Sequence, residues 1–216
     1  NGNVDAYYRK TSDLLNNITT PMGNNFSNTV ISNVGNMKNM GVEFNLNFIP
    51  IEKQDMRWTI NVNGTYQKTE ITKLTNDDST YLGVQTGANM GGTGGYTSLH
   101  RVGYAPYTYY LYQQAYDENG KAIQNVLVDR DGDGSITEAD RYVTGKSITP
   151  KFFFGLSSQF TYKKWDFGFN AHGSFGGYAL NRIAMNNSSA FSDDYTKGYI
   201  NNLSTNVLKT GWTRAI

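Results

Sequence analysis

Asp129, Asp131 and Asp133 stand at alternate positions, and Gly134 follows them directly. Ser135, Ile136, Thr137 and Asp140 complete a D-x-D-x-D-G-x-I-x-x-x-D pattern, the spacing of an EF-hand calcium loop. Carboxylates so spaced can converge on one hard cation, and Gly134 permits the sharp turn between them. Ser135 would offer its backbone carbonyl, and Thr137 would act directly or through a water. Ile136 would pin the loop by apolar packing. Asp140 stands where a bidentate Glu is usual, and its shorter arm demands a tighter loop. Two readings stay open. In one, Asp129, Asp131, Asp133, Ser135, Thr137 and Asp140 hold Ca²⁺. In the other, the loop is a metal-free turn whose Asp side chains cap their own backbone. Either way the role is structural, a staple for a long loop, because no catalytic base or nucleophile accompanies it.

Other chemistry is mostly excluded. Cysteine is absent, so disulfides, thiolate metal sites and cysteine nucleophiles are ruled out. His100 and His172 are the only histidines, too few for a multi-histidine zinc site. Lys and Arg total 19 against 18 acidic residues, which leaves no basic excess for a nucleic-acid partner. The run Gly91-Gly92-Thr93-Gly94-Gly95 lacks the Lys-Ser/Thr pair of a phosphate loop and reads as a flexible connection. His172 suits a contact inside a lumen better than a metal ligand or base. His100 stands alone in loop sequence, and Asp77-Asp78 and Asp193-Asp194 read as solvated loop charges. No carboxylate pair is placed for acid/base work, so no enzyme is expected. Tyr104, Tyr107, Tyr109, Tyr110 and Tyr112 crowd one segment. They could stack on sugar rings, meet a partner protein, or pack among themselves.

These residues need a scaffold, and the composition suggests β structure: 16 Tyr, 11 Phe, 3 Trp and 23 Gly beside only 4 Pro. Period-two alternation predicts strands at about 3–10, 41–49, 57–67, 151–162 and 165–175. Val42, Phe44, Leu46 and Phe48 oppose Glu43, Asn45 and Asn47. Trp58, Ile60, Val62 and Tyr66 oppose Thr59, Asn61, Asn63 and Thr65. The last two runs repeat the pattern, with Phe169 on the apolar side and Asn170 on the polar one. Connections are short at 50–56 and 163–164, and long at about 11–40, 68–150 and 176–216. A soluble sandwich seldom carries such long connections. Transmembrane β-barrels do, with short periplasmic turns and long extracellular loops. Eight steps at about 3.3 Å span about 26 Å, close to the apolar band of an outer-membrane barrel. The expected fold is therefore all-β, a segment of a transmembrane antiparallel barrel. Val62 and Phe169 would face lipid, and Asn45, Asn47, Asn61, Asn63 and Asn170 would face a wet lumen. The alternative is a secreted, calcium-stabilised β-sandwich that binds glycan on its tyrosine segment. No run approaches the length of a membrane helix, and no signal peptide is visible. Both ends look cut from something longer.

Several stretches together resemble the SusC/RagA-type TonB-dependent outer-membrane transporters. They are Tyr7-Tyr8-Arg9-Lys10-Thr11-Ser12-Asp13-Leu14-Leu15 and Asn33-Val34-Gly35-Asn36-Met37-Lys38-Asn39-Met40-Gly41-Val42-Glu43. Then come the acidic loop through Asp140-Arg141, and Gly145-Lys146-Ser147-Ile148-Thr149-Pro150-Lys151-Phe152 with Gly155. Trp165-Asp166-Phe167 and Gly173-Ser174-Phe175-Gly176-Gly177 close the set. Each is weak alone, but their order is specific. Ser147-Ile148-Thr149 departs from the family's usual Asn-Pro-type approach to the proline. The resemblance implies a plugged barrel of about 22 strands, of which this chain supplies about five. It implies nutrient import, of oligosaccharides foremost or of peptides, across the outer membrane of a Gram-negative bacterium. It also implies as partners the remainder of the barrel and plug, a SusD-like surface lipoprotein as lid, outer-membrane lipid, and the TonB complex.

Overall fold

The computed structural model describes residues 1–19, 29–75, 81–89, 95–183 and 205. Asp77-Asp78, Gly91 to Gly94, Asp193-Asp194 and most of 176–216 lie outside the described residues. The strands in chain order are β1 (Gly2–Thr19), β2 (Thr29–Lys53), β3 (Met56–Lys73), β4 (Val84–Asn89), β5 (Tyr96–His100) and β6 (Thr108–Leu111). They continue with β7 (Gln114–Tyr116), β8 (Ala122–Leu127), β9 (Tyr142–Ser147), β10 (Phe152–Tyr162) and β11 (Trp165–Phe175). Two compact units divide them: Asn1–Tyr110 with Val143–Tyr178, and Leu111–Tyr142 with Ala179–Ile216. Among the described residues no helix is long and apolar enough to cross a membrane, which bears on helices only.

The first unit is built on an antiparallel sheet ordered β1-β2-β3-β10-β11. Its register sorts side chains into rows. Gly2, Leu46, Val62, Leu156 and Ala171 share one row, and Val4, Phe44, Gly64, Phe154 and Gly173 the next. Ala6, Val42, Tyr66, Phe152 and Phe175 follow. At the turn end the same face carries Trp58 with Phe160 and Phe167, then Met56 with Tyr162 and Trp165. The opposite face carries Asn3, Asn45, Asn63, Gly155 and His172, and then Asn47, Asn61, Ser157 and Asn170. A strand alternates its side chains strictly, so five strands in register make one apolar face and one polar face.

The apolar face is uncovered. Phe167, Phe169 and Phe175 are 58%, 55% and 59% exposed, and Trp165 is 67% exposed. From Met56 to Tyr66 that face rises about 33 Å along β3, or about 25 Å along a membrane normal at a tilt of about 40°. Glycine serves this face by close approach: Phe44 lies where a side chain on Gly64 would stand, and Phe154 does the same over Gly173. Ser158 is the polar intruder on the apolar face, and the Trp58 indole N–H donates to its hydroxyl at 2.9 Å.

Two short turns close the lower edge. Lys163 takes φ +52°, the left-handed conformation needed early in a two-residue hairpin. Its N–H donates to the Asp55 carbonyl at 2.7 Å, so the β10–β11 turn is tied to the β2–β3 turn beside it.

The strands run past the expected ends. Residues 11–40, expected as a loop, continue β1 to Thr19 and begin β2 at Thr29. Their ladder persists across a bulge between Thr11 and Leu14, where Asp13 takes φ +60°. Strict alternation vanishes there because apolar residues such as Leu14-Leu15 and Val30-Ile31 stand in adjacent pairs rather than at every second position, while main-chain pairing needs no such pattern. Residues 68–150 are likewise not one loop. They hold the rest of β3, a four-stranded sheet ordered β4-β5-β6-β9, and the β7–β8 hairpin. The buried core of the first unit lies in this region: Leu99, Thr97 and Thr108 are 0%, 1% and 1% exposed, and Ile71, Leu74, Tyr109 and Tyr110 are buried.

Val62→Lys and Phe169→Lys should each destabilise the full-length protein by about 2–4 kcal/mol in a bilayer, since both side chains project from the apolar face. Asn170→Lys, on the other face of β11, should change stability by about 0.5 kcal/mol or less. Denaturant unfolding in lipid vesicles reads the difference. Equal tolerance of all three would contradict the assignment of faces.

Candidate functional site

The polar face is cross-linked by its side chains. The Asn47 side-chain amide donates to Asn61 Oδ1 at 2.5 Å, and Asn61 donates to Ser157 Oγ at 3.3 Å. Those bonds join β2, β3 and β10 through side chains projecting from one face. Gln159 and Asp166 are also hydrogen-bonded on it, between β10 and β11. At its upper end β3 changes partners. Ile71 N–H donates to the Tyr104 carbonyl, and Gly103 N–H returns to Ile71, both at 2.9 Å. Beside this joint lies a cavity of about 160 Å³ lined by Gln67, Tyr104, Thr108, Ser147 and Pro150. Main-chain joints of this kind leave no pattern of residue types, so the sequence reading missed this one.

The five tyrosines separate. Tyr109 and Tyr110 are 7% and 4% exposed, and the Tyr109 hydroxyl donates to the Tyr178 carbonyl at 3.0 Å. These two pack the core. Tyr107 is 41% exposed, with φ +55°, and its ring meets His100 edge-on at 4.6 Å between centroids. Tyr104 is half-buried. In the second unit Tyr112 is half-buried, with the Arg141 guanidinium 5.8 Å from its ring centroid. His100 is not a free loop residue. It ends β5 beside a cavity of about 250 Å³ lined also by Met37, Ile71, Leu74 and Pro106. Burial holds its imidazole below the ordinary pKa, so it stays neutral.

The acidic loop belongs to the second unit, between β8 and β9. Its flanks are strands, since β8 ends at Leu127 and β9 begins at Tyr142. Asp129 accepts from Gly132 N–H at 2.7 Å with one oxygen and from Gly134 N–H at 2.8 Å with the other. Asp131 accepts from Asp133 N–H, and Asp133 from Ser135 N–H. The carboxylate oxygens of Asp129, Asp131 and Asp133 lie within 4.8 Å of one another.

Asp140 lies against that trio, in contact with Asp129, but its main partners are backbone amides. It is fully buried, and its two oxygens take Arg130 N–H at 2.6 Å and Thr137 N–H at 2.7 Å. It thus ties the start of the loop to its end. Thr137 caps the 3-10 turn Glu138–Asp140 through Ala139 N–H. The N–H donors of Thr137 and Arg130 hold the Asp140 carboxyl below its ordinary pKa. Asp131 is pulled down by the Asp133 N–H. Partial desolvation, the charges of Asp133 and Asp140 and the contact with Asp129 outweigh that pull and raise it. Three carboxylate oxygens so close together are donors of the kind a hard cation takes, so the geometry of the trio is compatible with Ca²⁺.

No family model matches the chain. Sequence comparison does find relatives. The TonB-dependent receptor SusC of Bacteroides thetaiotaomicron is 39% identical over 199 residues, covering 89% of this chain and 20% of that receptor. The chain belongs to the SusC/RagA-type TonB-dependent receptors. The TonB-dependent receptors P3 and P26 of Formosa agariphila are each 30% identical, over 82% and 91% of this chain. These matches cover 19% and 21% of the two receptors. Among solved structures, the RagAB peptide transporter superposes with a TM-score of 0.61 at 24% identity, over 88% of this chain and 21% of that one. The RagAB peptide importer in its open-open state gives 0.64 at 22% identity, over 87% and 20%. The chain spans about a fifth of the length of the curated relatives it matches. The likeness to RagAB bears on fold: this SusC/RagA-type sheet is a segment of a transmembrane β-barrel. The relatives are receptors and transporters rather than enzymes, in accord with the non-catalytic reading of the sequence.

The Asp140 hydrogen bonds give loop closure a pH window. A carboxyl whose pKa is lowered by folding contributes stability above its ordinary value of 3.8, and loses it as pH falls through the lower folded value. Loop closure, followed by hydrogen exchange at Arg130 and Thr137 in the full-length receptor, should therefore hold from neutral pH down to about pH 4 and fail below it. Asp140→Ala should open both amides already at neutral pH. Unchanged protection in that variant would refute the cross-link.

Proposed function

We propose that this chain builds part of the wall and extracellular mouth of a TonB-dependent importer in the outer membrane of a Gram-negative bacterium. The observation that carries the reading is a single sheet with one uncovered apolar face about one membrane high, in a chain 39% identical to SusC. The edges of β1 and β11 would be paired by the remainder of the barrel, because lipid cannot satisfy an open strand. The short turns at Gln54-Asp55 and Lys163-Lys164 would face the periplasm. The polar face would line the lumen around the plug.

The cargo is a nutrient, foremost an oligosaccharide, with peptides the second candidate. The RagAB structures, described as a peptide importer with open and closed states, support the peptide option. A SusD-like lipoprotein would cover the mouth, and the TonB complex would supply energy through another part of the receptor. Of the tyrosine segment, Tyr107 is the residue best placed to touch cargo or lid, since it is exposed while Tyr109 and Tyr110 are buried. Transport is gating, without covalent chemistry. Disrupting the gene should abolish growth on one class of oligosaccharide or peptide and spare growth on the corresponding monomer. Tyr107→Ala should lower uptake severalfold with normal membrane insertion. Normal growth of the disrupted strain on every oligomer tested would defeat the reading.

The acidic loop is proposed as a Ca²⁺ staple for the mouth. Asp129, Asp131 and Asp133 would supply carboxylates, with Ser135 and Thr137 supplementing them. Asp140 would hold the loop closed around the ion. Calorimetry of the full-length receptor should show a calcium-dependent transition, worth about 2.7 kcal/mol at a hundredfold excess over Kd. It should vanish in Asp131→Ala and Asp133→Ala. Identical transitions with calcium and with chelator would leave only the self-capped turn.

A further inference from the structure

The register places a set of charges on the outer face, directly above the apolar band. Tyr8, Met40 and Lys68 form the row beyond Tyr66, and Lys10, Lys38 and Glu70 form the row beyond that. All share the face of Val62 and Phe44, because no bulge interrupts the ladder between these rows. Glu70 is clamped by Lys38 at 2.8 Å and by Lys68 at 3.4 Å. Lys68 remains 60% exposed despite that contact. Lys10 is exposed and has no ion-pair partner among the described residues. Three lysines against one glutamate leave the patch with a net charge of +2, on a chain whose formal net charge is only +1.

Height decides what this patch meets. Lys68 and Glu70 lie two and four residues above Tyr66 on β3. At a tilt of about 40° that is about 5 and about 10 Å above the end of the apolar rows, within the headgroup layer rather than in bulk water. Tyr8 and Tyr66, 64% and 54% exposed on the same face, mark the boundary as interfacial aromatics do. Lysines at this level gain most from phosphate oxygens, which they meet as flexible point charges.

We propose that Lys10, Lys38 and Lys68 form a docking site for the phosphate-bearing headgroup of an outer-leaflet lipid. Glu70 holds Lys38 and Lys68 together and leaves Lys10 free for the lipid. The assignment rests on the membrane-barrel reading above.

The test uses the full-length receptor in phosphatidylcholine vesicles containing a minor fraction of diphosphorylated lipid A or its dephosphorylated form. Lipid retained by the protein is quantified after gentle extraction. Wild type should retain the phosphorylated form preferentially. The triple variant Lys10→Gln, Lys38→Gln, Lys68→Gln should lose that preference by about tenfold or more, an effect that shrinks at high salt. Glu70→Gln should raise retention. Equal retention of both lipids by wild type, or an unchanged preference in the triple variant, overturns the proposal. So does loss of a co-purifying protein, rather than of lipid, on removing the lysines. Failure of wild type to insert into vesicles at all would instead refute the barrel reading, and is scored separately by protease protection.

Discussion

A backbone amide in hydrocarbon has no water to bond, and each orphaned group is expensive enough to forbid irregular chain there. That constraint organises the first unit. β3, β10 and β11 pair along an uninterrupted ladder from the turns at Asp55 and Lys163 to the row of Tyr66 and Phe152, and β2 follows β3 with one bulge between Phe48 and Ile51. Continuous pairing fixes register, and register fixes which side chains leave on which face. The apolar exterior and the Asn47–Asn61–Ser157 network are two outcomes of one bonding rule. Even the exception obeys it, since the Ser158 hydroxyl on the apolar face is bonded by Trp58.

The same rule explains what could be read beforehand. Strands were legible where their two faces meet different solvents, because alternation records that difference. The Trp58–Tyr66 and Trp165–Phe175 runs are of this kind. Beyond that band the contrast lapses, with Leu15 and Ile31 exposed while Ile71 and Leu74 are buried, and the record disappears. Residues 12–19 and 29–40 remain paired strand all the same, and β4, β5, β6 and β9 hide within what looked like one long loop. Tertiary pairing, not local composition, makes these segments extended.

The acidic loop was legible for a different reason. Aspartates at fixed offsets with glycine are a local device, so their spacing alone foretold the turn. Gly132 and Gly134 do take φ +76° and +84°. Spacing could not foretell the division of labour, in which Asp140 binds two amides of the loop while the three earlier aspartates face one another. The tyrosine segment was the reverse case. Composition marked it as a unit, and packing split it, with Tyr109 and Tyr110 inside and Tyr107 outside.

β3 and β10 lie side by side, although residues 74–151 separate them in sequence. The chain leaves the wall at one strand and returns at its immediate neighbour. Closing such an excursion depends only weakly on its length, each doubling adding about 0.6 kcal/mol. Insertions and deletions between these two points can therefore enlarge, shrink or exchange the excursion while the wall keeps every hydrogen bond. A lineage of such receptors can diversify its outer architecture at this junction without refolding its barrel.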